Sequence, residues 1–219
     1  MASITATLST LAALVIGFSV EHRPIDLVHV AGPGPRVLVV GAIHGNESAG
    51  IAIVDALRRT HPHADLWLIP TLNPDGLAAG TRQNAHGVDL NRNFGAGWQR
   101  FGAPWSAYYS GTRPWSEPET RVARTVVRRI HPRVTVWYHQ HLDEVWAYGR
   151  SSAAGRRYAS ISGLPYLHRR WLAGSATNWQ NHLAGGGASI TVELPAGRLD
   201  ARAVRRHVRA VLGLALAAP

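Results

Sequence analysis

Apolar positions along the chain fall into short continuous runs and longer periodic stretches. The continuous runs are Val37-Leu38-Val39-Val40 within 36–42, Leu66-Trp67-Leu68-Ile69 within 65–70, Val134-Thr135-Val136-Trp137-Tyr138 and Ser189-Ile190-Thr191-Val192. Runs this apolar suit central strands covered on both faces. Two shorter β-like runs lie between Val15 and Val30, and Val145–Gly149 reads as a further short strand. The Gly/Pro-dense segment Ala31-Gly32-Pro33-Gly34-Pro35 is a turn.

The periodic stretches predict helices over Ser48–Arg59, from Ser116-Glu117-Pro118-Glu119 to Ile130, over Ser152–Ser160 and over Asp200–Leu216. Val122, Val126, Val127 and Ile130 mark one face of the second. Ser116 is its expected N-cap, with Glu119 at the capping-box position. Val204, Val208, Val211, Leu212 and Ala215 form the expected stripe of the last. Thr71–Ser116 and Pro165–Gly187 read as irregular, and a long ordered loop in a compact domain usually carries function. Strand and helix alternate without a repeat or a linker, so the expectation is one α/β domain with a mixed, largely parallel sheet.

Composition supports a single sizeable core: 219 residues, 46% hydrophobic and only 16% charged. The absence of cysteine excludes disulfides and thiolate metal sites, so any metal must take His and carboxylate ligands. The net charge is +10. Much of the excess falls on Arg121, Arg124, Arg128 and Arg129 and on Arg202, Arg205, Arg206 and Arg209, on the polar sides of two predicted helices. Such faces attract anionic polymers, but no nucleic-acid motif accompanies them, and nucleic acid is not an expected partner. Met1–Ile16 is uncharged and largely apolar, like the middle of a secretory signal, yet it lacks the positive leading region and a cleavage site. It is short for a membrane span, and stable membrane insertion is not expected. Residues 1–15 are read as a signal-like or extra N-terminal segment and 16–217 as the single folded domain. A truncated signal implies a secreted or wall-associated protein, its absence a cytoplasmic one.

Polar residues at three strand ends change the picture. His44 and Glu47 lie just past Val40, His139 ends the Val134 run, and Glu193 sits near the end of the Ser189 run. Sites in open α/β sheets form at the carboxyl ends of strands. Two His and one Glu can hold a catalytic zinc with a position left for water, and zinc acidifies that water and polarises a carbonyl. Glu193 is the candidate to accept the water's proton. His141 is a rival for His139, being two residues on along the same strand direction. The remaining histidines, such as His61, His63, His168 and His182, read as surface or locally bonded. In Gly87-Val88-Asp89-Leu90-Asn91-Arg92-Asn93-Phe94, Asn91 and Arg92 can grip a carboxylate, with Asp89 orienting the turn. Arg82 can donate to the oxyanion of a tetrahedral intermediate.

These motifs, together with Asn73-Pro74-Asp75-Gly76, Ser116-Glu117-Pro118-Glu119-Thr120 and Thr191-Val192-Glu193-Leu194-Pro195, resemble the zinc carboxypeptidase family in order and spacing. The resemblance runs from about Val15 to Leu216 and is nearest to the small bacterial branch, the murein peptide amidases. It implies a mixed sheet of about eight strands between helices. It implies one Zn2+ on His44, Glu47 and His139, with Glu193 as general base and then general acid. It also implies Arg82 as oxyanion donor and Asn91 with Arg92 on a free α-carboxylate. The implied substrate is a small cell-wall peptide cleaved at a γ-D-glutamyl–diaminopimelate bond. Gly95 stands where that branch usually has proline. Tyr166 and Trp179 are the candidates for the family's substrate-capping tyrosine, Trp179 in the better-placed loop.

Two other readings are open, one a hydrolase of different substrate and one not an enzyme. Deacylases of the aspartoacylase and succinylglutamate desuccinylase type share the His-Gly-Asn-Glu and Asn-Arg motifs and cleave N-acyl amino acids. A non-catalytic module would keep the fold and use its arginine faces for an anionic polymer. The intact set His44, Glu47, His139 and Glu193 argues against the latter.

Overall fold

Val37 and Val39 turn to one side of their strand, and Leu38 and Val40 to the other; all four are buried. A strand of this kind needs a layer on each face, and the rest of the chain supplies them. The structure, a computed structural model, describes residues 13–216. Its strands are β1 (Ala13–Phe18), β2 (Pro24–Val30), β3 (Arg36–Val40), β4 (Asp65–Ile69), β5 (Val134–Gln140), β6 (Glu144–Ala147), β7 (Tyr166–His168) and β8 (Ala188–Leu194). Among the described residues they form one eight-stranded sheet in the order β1-β2-β4-β3-β5-β8-β6-β7. The four central strands β4, β3, β5 and β8 run parallel, while β2 joins β4, and β6 joins β8, antiparallel. The carboxyl ends of β3, β5 and β8 therefore open on one edge.

Helices α1 (Ala49–Leu57), α4 (Ser152–Ser162) and α6 (Ala201–Ala215) cover one face, against Val37, Val39, Val136, Ile190 and Val192. Helices α3 (Pro118–Ile130) and α5 (Ala176–His182) cover the other, against Leu38, Val40 and Trp137. Burying each such side chain stabilises by about 1.5–3 kcal/mol, so both layers contribute. The expected α/β sandwich with a mixed sheet is what forms. Of the expected segment 1–15, Ala13–Val15 belong to β1 and the rest lies outside the described residues.

Four local expectations need correction. Thr71–Ser116 contains a short helix, α2 (Pro74–Ala79), and a single 3-10 turn at Leu90–Arg92. The Asn73-Pro74 pair is a helix start: the Asn73 side chain accepts from Gly76 N, and Pro74 fills the first turn. Pro165–Gly187 contains β7 and α5, the latter capped by the Ser175 side chain on Asn178 N. The N-cap of α3 is Glu117, not Ser116. Ser116 is taken by Asn93 and Glu117, and Glu119 faces inward to accept from Val20 N and Asn84 Nδ2 instead of closing a capping box.

The fully buried face of α6 carries His207, Ala210, Val211, Gly213 and Leu214, a slight rotation that leaves Val208, Leu212 and Ala215 of the expected stripe packed half-buried at its margin. His207 is thus a core residue rather than a surface one. Its Nδ1 pairs with the Tyr158 hydroxyl at 2.7 Å, which pairs with the Tyr138 hydroxyl at 2.8 Å. Burial, helped by the nearby Arg206 charge, pushes the imidazole down from 6.5 to about 4. Between those values the unfolded chain binds a proton that the folded chain does not. Stability is then full above pH 6.5 and falls as pH drops toward 4, by about 3 kcal/mol. Denaturant midpoints at pH 7 and pH 4.5 check this: the wild type should lose more than His207→Gln, and equal losses would contradict it.

Candidate metal centre and active site

The corner after β3 is shaped by close backbone approach. A Cβ on Gly45 would lie 1.9 Å from the Gly76 carbonyl carbon, so only glycine lets the corner rest on α2. Asn73 Nδ2 reaches Arg82 O at 3.3 Å, and Asp75 takes Ser19 Oγ and Glu21 N, which ties α2 to the β1–β2 hairpin. The corner turns tightly, with Glu47 N donating to His44 O at 3.2 Å. This places the His44 and Glu47 side chains together, both buried.

His139 arrives from the end of β5. His44 Nδ1 and His139 Nδ1 stand 3.2 Å apart, and both face Glu47 Oε2, at 2.8 and 2.9 Å. These three residues are the cluster of metal-ligating type among the described residues, with ligand atoms within 4.8 Å of one another. His141 is exposed and takes no part in it.

The donor chemistry fits a divalent metal. His44 gives its other nitrogen, Nε2, to the fully buried Asp89 Oδ1 at 2.8 Å. A proton on Nε2 leaves the Nδ1 lone pair aimed at the cluster, the usual arrangement of a carboxylate behind a histidine ligand. Burial alone would lower His44, but the Asp89 and Glu47 carboxylates outweigh it and raise its pKa. Both carboxylates are held well below the ordinary range despite their burial, chiefly by His44. The field that favours a proton on His44 also attracts a cation. Asp89, expected only to orient the turn, thus also supports a ligand-type histidine. Its Oδ1 also accepts from Asn91 N at 2.9 Å.

Arg82, Asn91, Arg92 and Glu193 line the same cavity of about 270 Å³ as the three ligand-type residues. Arg82 donates to Glu47 Oε1 at 2.6 Å and to Asp89 Oδ2 at 3.0 Å. Asn91 Nδ2 stands 3.3 Å from His139 Nε2, and Asn91 Oδ1 accepts from Ala176 N at the start of α5. Glu193 is paired in register with His139 across β5 and β8. Its Oε2 is buried and without a hydrogen-bond partner among the described residues. Burial raises its pKa, with the Glu47 charge adding to the rise and His139 opposing it. A carboxyl poised above its ordinary range in a cleft suits proton transfer.

The remaining motif residues are scaffolding. Asn93 binds Ser110 O, Arg113 O, Ser116 Oγ, Glu117 N and Thr120 Oγ1, stitching the loop to the start of α3. Gln140 accepts from Ala49 N and donates to Pro195 O and Gly197 O, locking α1 to the end of β8. Gly95 leaves room for Trp115, whose Nε1 would lie 2.6 Å from a Cβ there.

Neither aromatic candidate for the cap reaches the cavity. Trp179 is buried against Phe94 and Trp115, because α5 turns it into the core. The Tyr166 hydroxyl donates to Ala147 O on the neighbouring strand. Tyr108 is the tyrosine that lines the cavity, with Arg82 and Arg92 stacked on its ring at 5.8 and 5.2 Å. Nothing in its sequence surroundings marks it; only the loop's path brings it there.

A family profile described as zinc carboxypeptidase matches residues 1–162 of this chain. With the buried His-Glu-His cluster at the carboxyl edge of the sheet, this places the chain in the zinc carboxypeptidase family, a family of hydrolases. Within it, the chain is similar to murein peptide amidase A of Escherichia coli K12, 32% identical over 124 residues, 48% of this chain and 49% of that protein. That alignment spans about half the length of the relative. Murein peptide amidase A of Vibrio campbellii is 29% identical over 197 residues, 82% of this chain and 77% of that protein. The solved murein-tripeptide amidase of Escherichia coli O157 superposes with a TM-score of 0.76 at 26% identity, over 95% of this chain and 93% of that one.

Proposed function

We propose that the protein is a zinc-dependent amidase of metallocarboxypeptidase type, hydrolysing an amide bond next to a free carboxylate in peptidoglycan-derived peptides, the γ-D-glutamyl–diaminopimelate bond above all. The observation that carries this reading is the convergence of His44 Nδ1, His139 Nδ1 and Glu47 Oε2 beside the unpartnered Glu193 Oε2. The similarity to murein peptide amidases supports the substrate class.

His44, Glu47 and His139 would hold the metal, with Asp89 fixing the His44 ring. A bound zinc ion would supply Lewis acidity for acidifying water and polarising the scissile carbonyl. Arg92 and Asn91 grip the substrate's free carboxylate and set the amide over the cluster. Arg82 turns a donor from Glu47 to the carbonyl oxygen as negative charge develops on it. Glu193 takes the proton of the attacking water at Oε2 and returns it to the leaving amine. The raised pKa of Glu193 keeps both directions of that transfer accessible.

A substrate panel on zinc-loaded protein tests the reading. It compares an L-Ala-γ-D-Glu-diaminopimelate tripeptide, ordinary peptides with free C-termini and N-acyl amino acids. Release of diaminopimelate from the tripeptide, faster than cleavage of the others, is expected. Preference for N-acyl amino acids would move the protein to the deacylase class. Salt-sensitive binding to wall material without turnover would favour the non-catalytic module.

A further inference from the structure

The cavity has a wall that the proposed chemistry does not use. His139, Glu193 and Glu144 stand opposite one another across β5, β8 and β6, and the next row inward is Thr191 opposite Trp146. Directly opposite residues share a sheet face, so this row continues the floor beneath the cluster. Leu167 of β7 pairs with Trp146, and Arg169 follows two residues later. The Arg169 guanidinium lies on the Trp146 ring at 4.3 Å. Glu144 bonds Trp146 Nε1, and its Oε1 is 3.6 Å from Arg169 Nη1, a loose contact rather than a direct hydrogen bond. Glu144 thus steadies the pair without consuming the guanidinium. Trp171, on the same wall, has a buried Nε1–H with no acceptor among the described residues.

Position ties this wall to the substrate's released residue. Asn91 of the carboxylate clamp is bonded to Ala176, and Ser175 and Thr177 on either side of Ala176 line the cavity. Thr177, Thr191, Trp146 and Arg169 line the same cavity as Asn91 and Arg92, so a residue whose α-carboxylate rests on the clamp would direct its side chain among them. Trp146 lies two strand spacings across and two residues along from His139, roughly 12 Å. An extended side chain of five heavy atoms reaches roughly 6 Å beyond its Cα, so the Arg169 side chain must cover the rest of the gap.

We propose that Arg169, laid on Trp146 beside Glu144, recognises a second carboxylate at the end of the released residue's side chain, and so selects dicarboxylic residues over aliphatic or purely basic ones. This rests on the amidase reading and on the clamp; it adds the residue that sets specificity. Stacking holds the guanidinium flat and leaves its edge donors free for a carboxylate. The half-exposed position keeps the residue replaceable without loss of the core.

The test uses two tripeptides that differ only at the released residue, diaminopimelate or lysine, which lacks the distal carboxylate. It also measures binding of free diaminopimelate and free lysine to zinc-loaded protein by calorimetry. Wild type should prefer diaminopimelate in both. Arg169→Met should lower kcat/KM on the diaminopimelate peptide roughly 30-fold, mainly through KM, and leave the lysine peptide nearly unchanged. Arg169→Lys should restore part of the preference. Equal losses on both peptides, or no loss on either, would overturn the proposal. If neither peptide is cleaved by wild type, the amidase reading fails, and the binding comparison still decides Arg169: no preference of wild type over Arg169→Met for diaminopimelate removes it.

Discussion

Glu193→Gln should abolish turnover while leaving one zinc per chain in place. Glutamine preserves the shape of the side chain on β8 and still fills the space opposite His139 and Glu144. What it removes is the proton acceptor. In the folded protein that acceptor is buried, raised in pKa by that burial, and without a partner at Oε2 among the described residues. General acid–base catalysis contributes about 10²–10⁴-fold, and the loss of a group used in both directions should fall at the upper end, near 10⁴ in kcat. KM should shift little, because the carboxylate clamp is untouched. Steady-state kinetics with metal analysis of the same sample checks this. Activity within tenfold of wild type would reassign the base.

The second large effect is loss of the metal itself. His139→Ala removes one of three converging ligand atoms and leaves the β5 backbone, paired on both sides, in place. Loss of an outer partner of a metal ligand costs about 10–100-fold in affinity, and loss of a ligand should cost more. The variant should purify with little zinc and show background activity. Thermal stability separates this from misfolding. Zinc at about a thousand times its Kd should stabilise wild type by about 4 kcal/mol and raise Tm, but should leave Tm of His139→Ala unchanged. An unaltered zinc response in the variant would exclude His139 as a ligand.

The two kinds of side chain in this site differ in how far the sequence discloses them. His44, Glu47, His139 and Glu193 are legible because each is a polar residue at the end of an apolar run. Strand direction and the parallel order then force them to one edge. The clamp at Asn91 and Arg92 is legible because its motif is local. Asp89 is half legible: its turn-forming bond to Asn91 N is local, but its bond to His44 spans 45 positions and needs the fold. Tyr108, Trp146, Arg169 and Trp171 carry no local signal, since loops and edge strands of separate origin bring them together. The same limit explains the fold errors. Helices α2 and α5 are short and are fixed by caps and tertiary contacts rather than by a long apolar stripe. The rotation of α6 follows from His207, a residue whose type suggests the surface but whose tyrosine partners sit in the core.

The most direct test is zinc titration of metal-free protein with hydrolysis of the L-Ala-γ-D-Glu-diaminopimelate tripeptide as the readout. Activity should rise in proportion to added zinc, level off at one equivalent per chain and yield diaminopimelate. Turnover that survives chelation, or zinc uptake to one equivalent with no cleavage of this or any other amide next to a free carboxylate, would contradict the account.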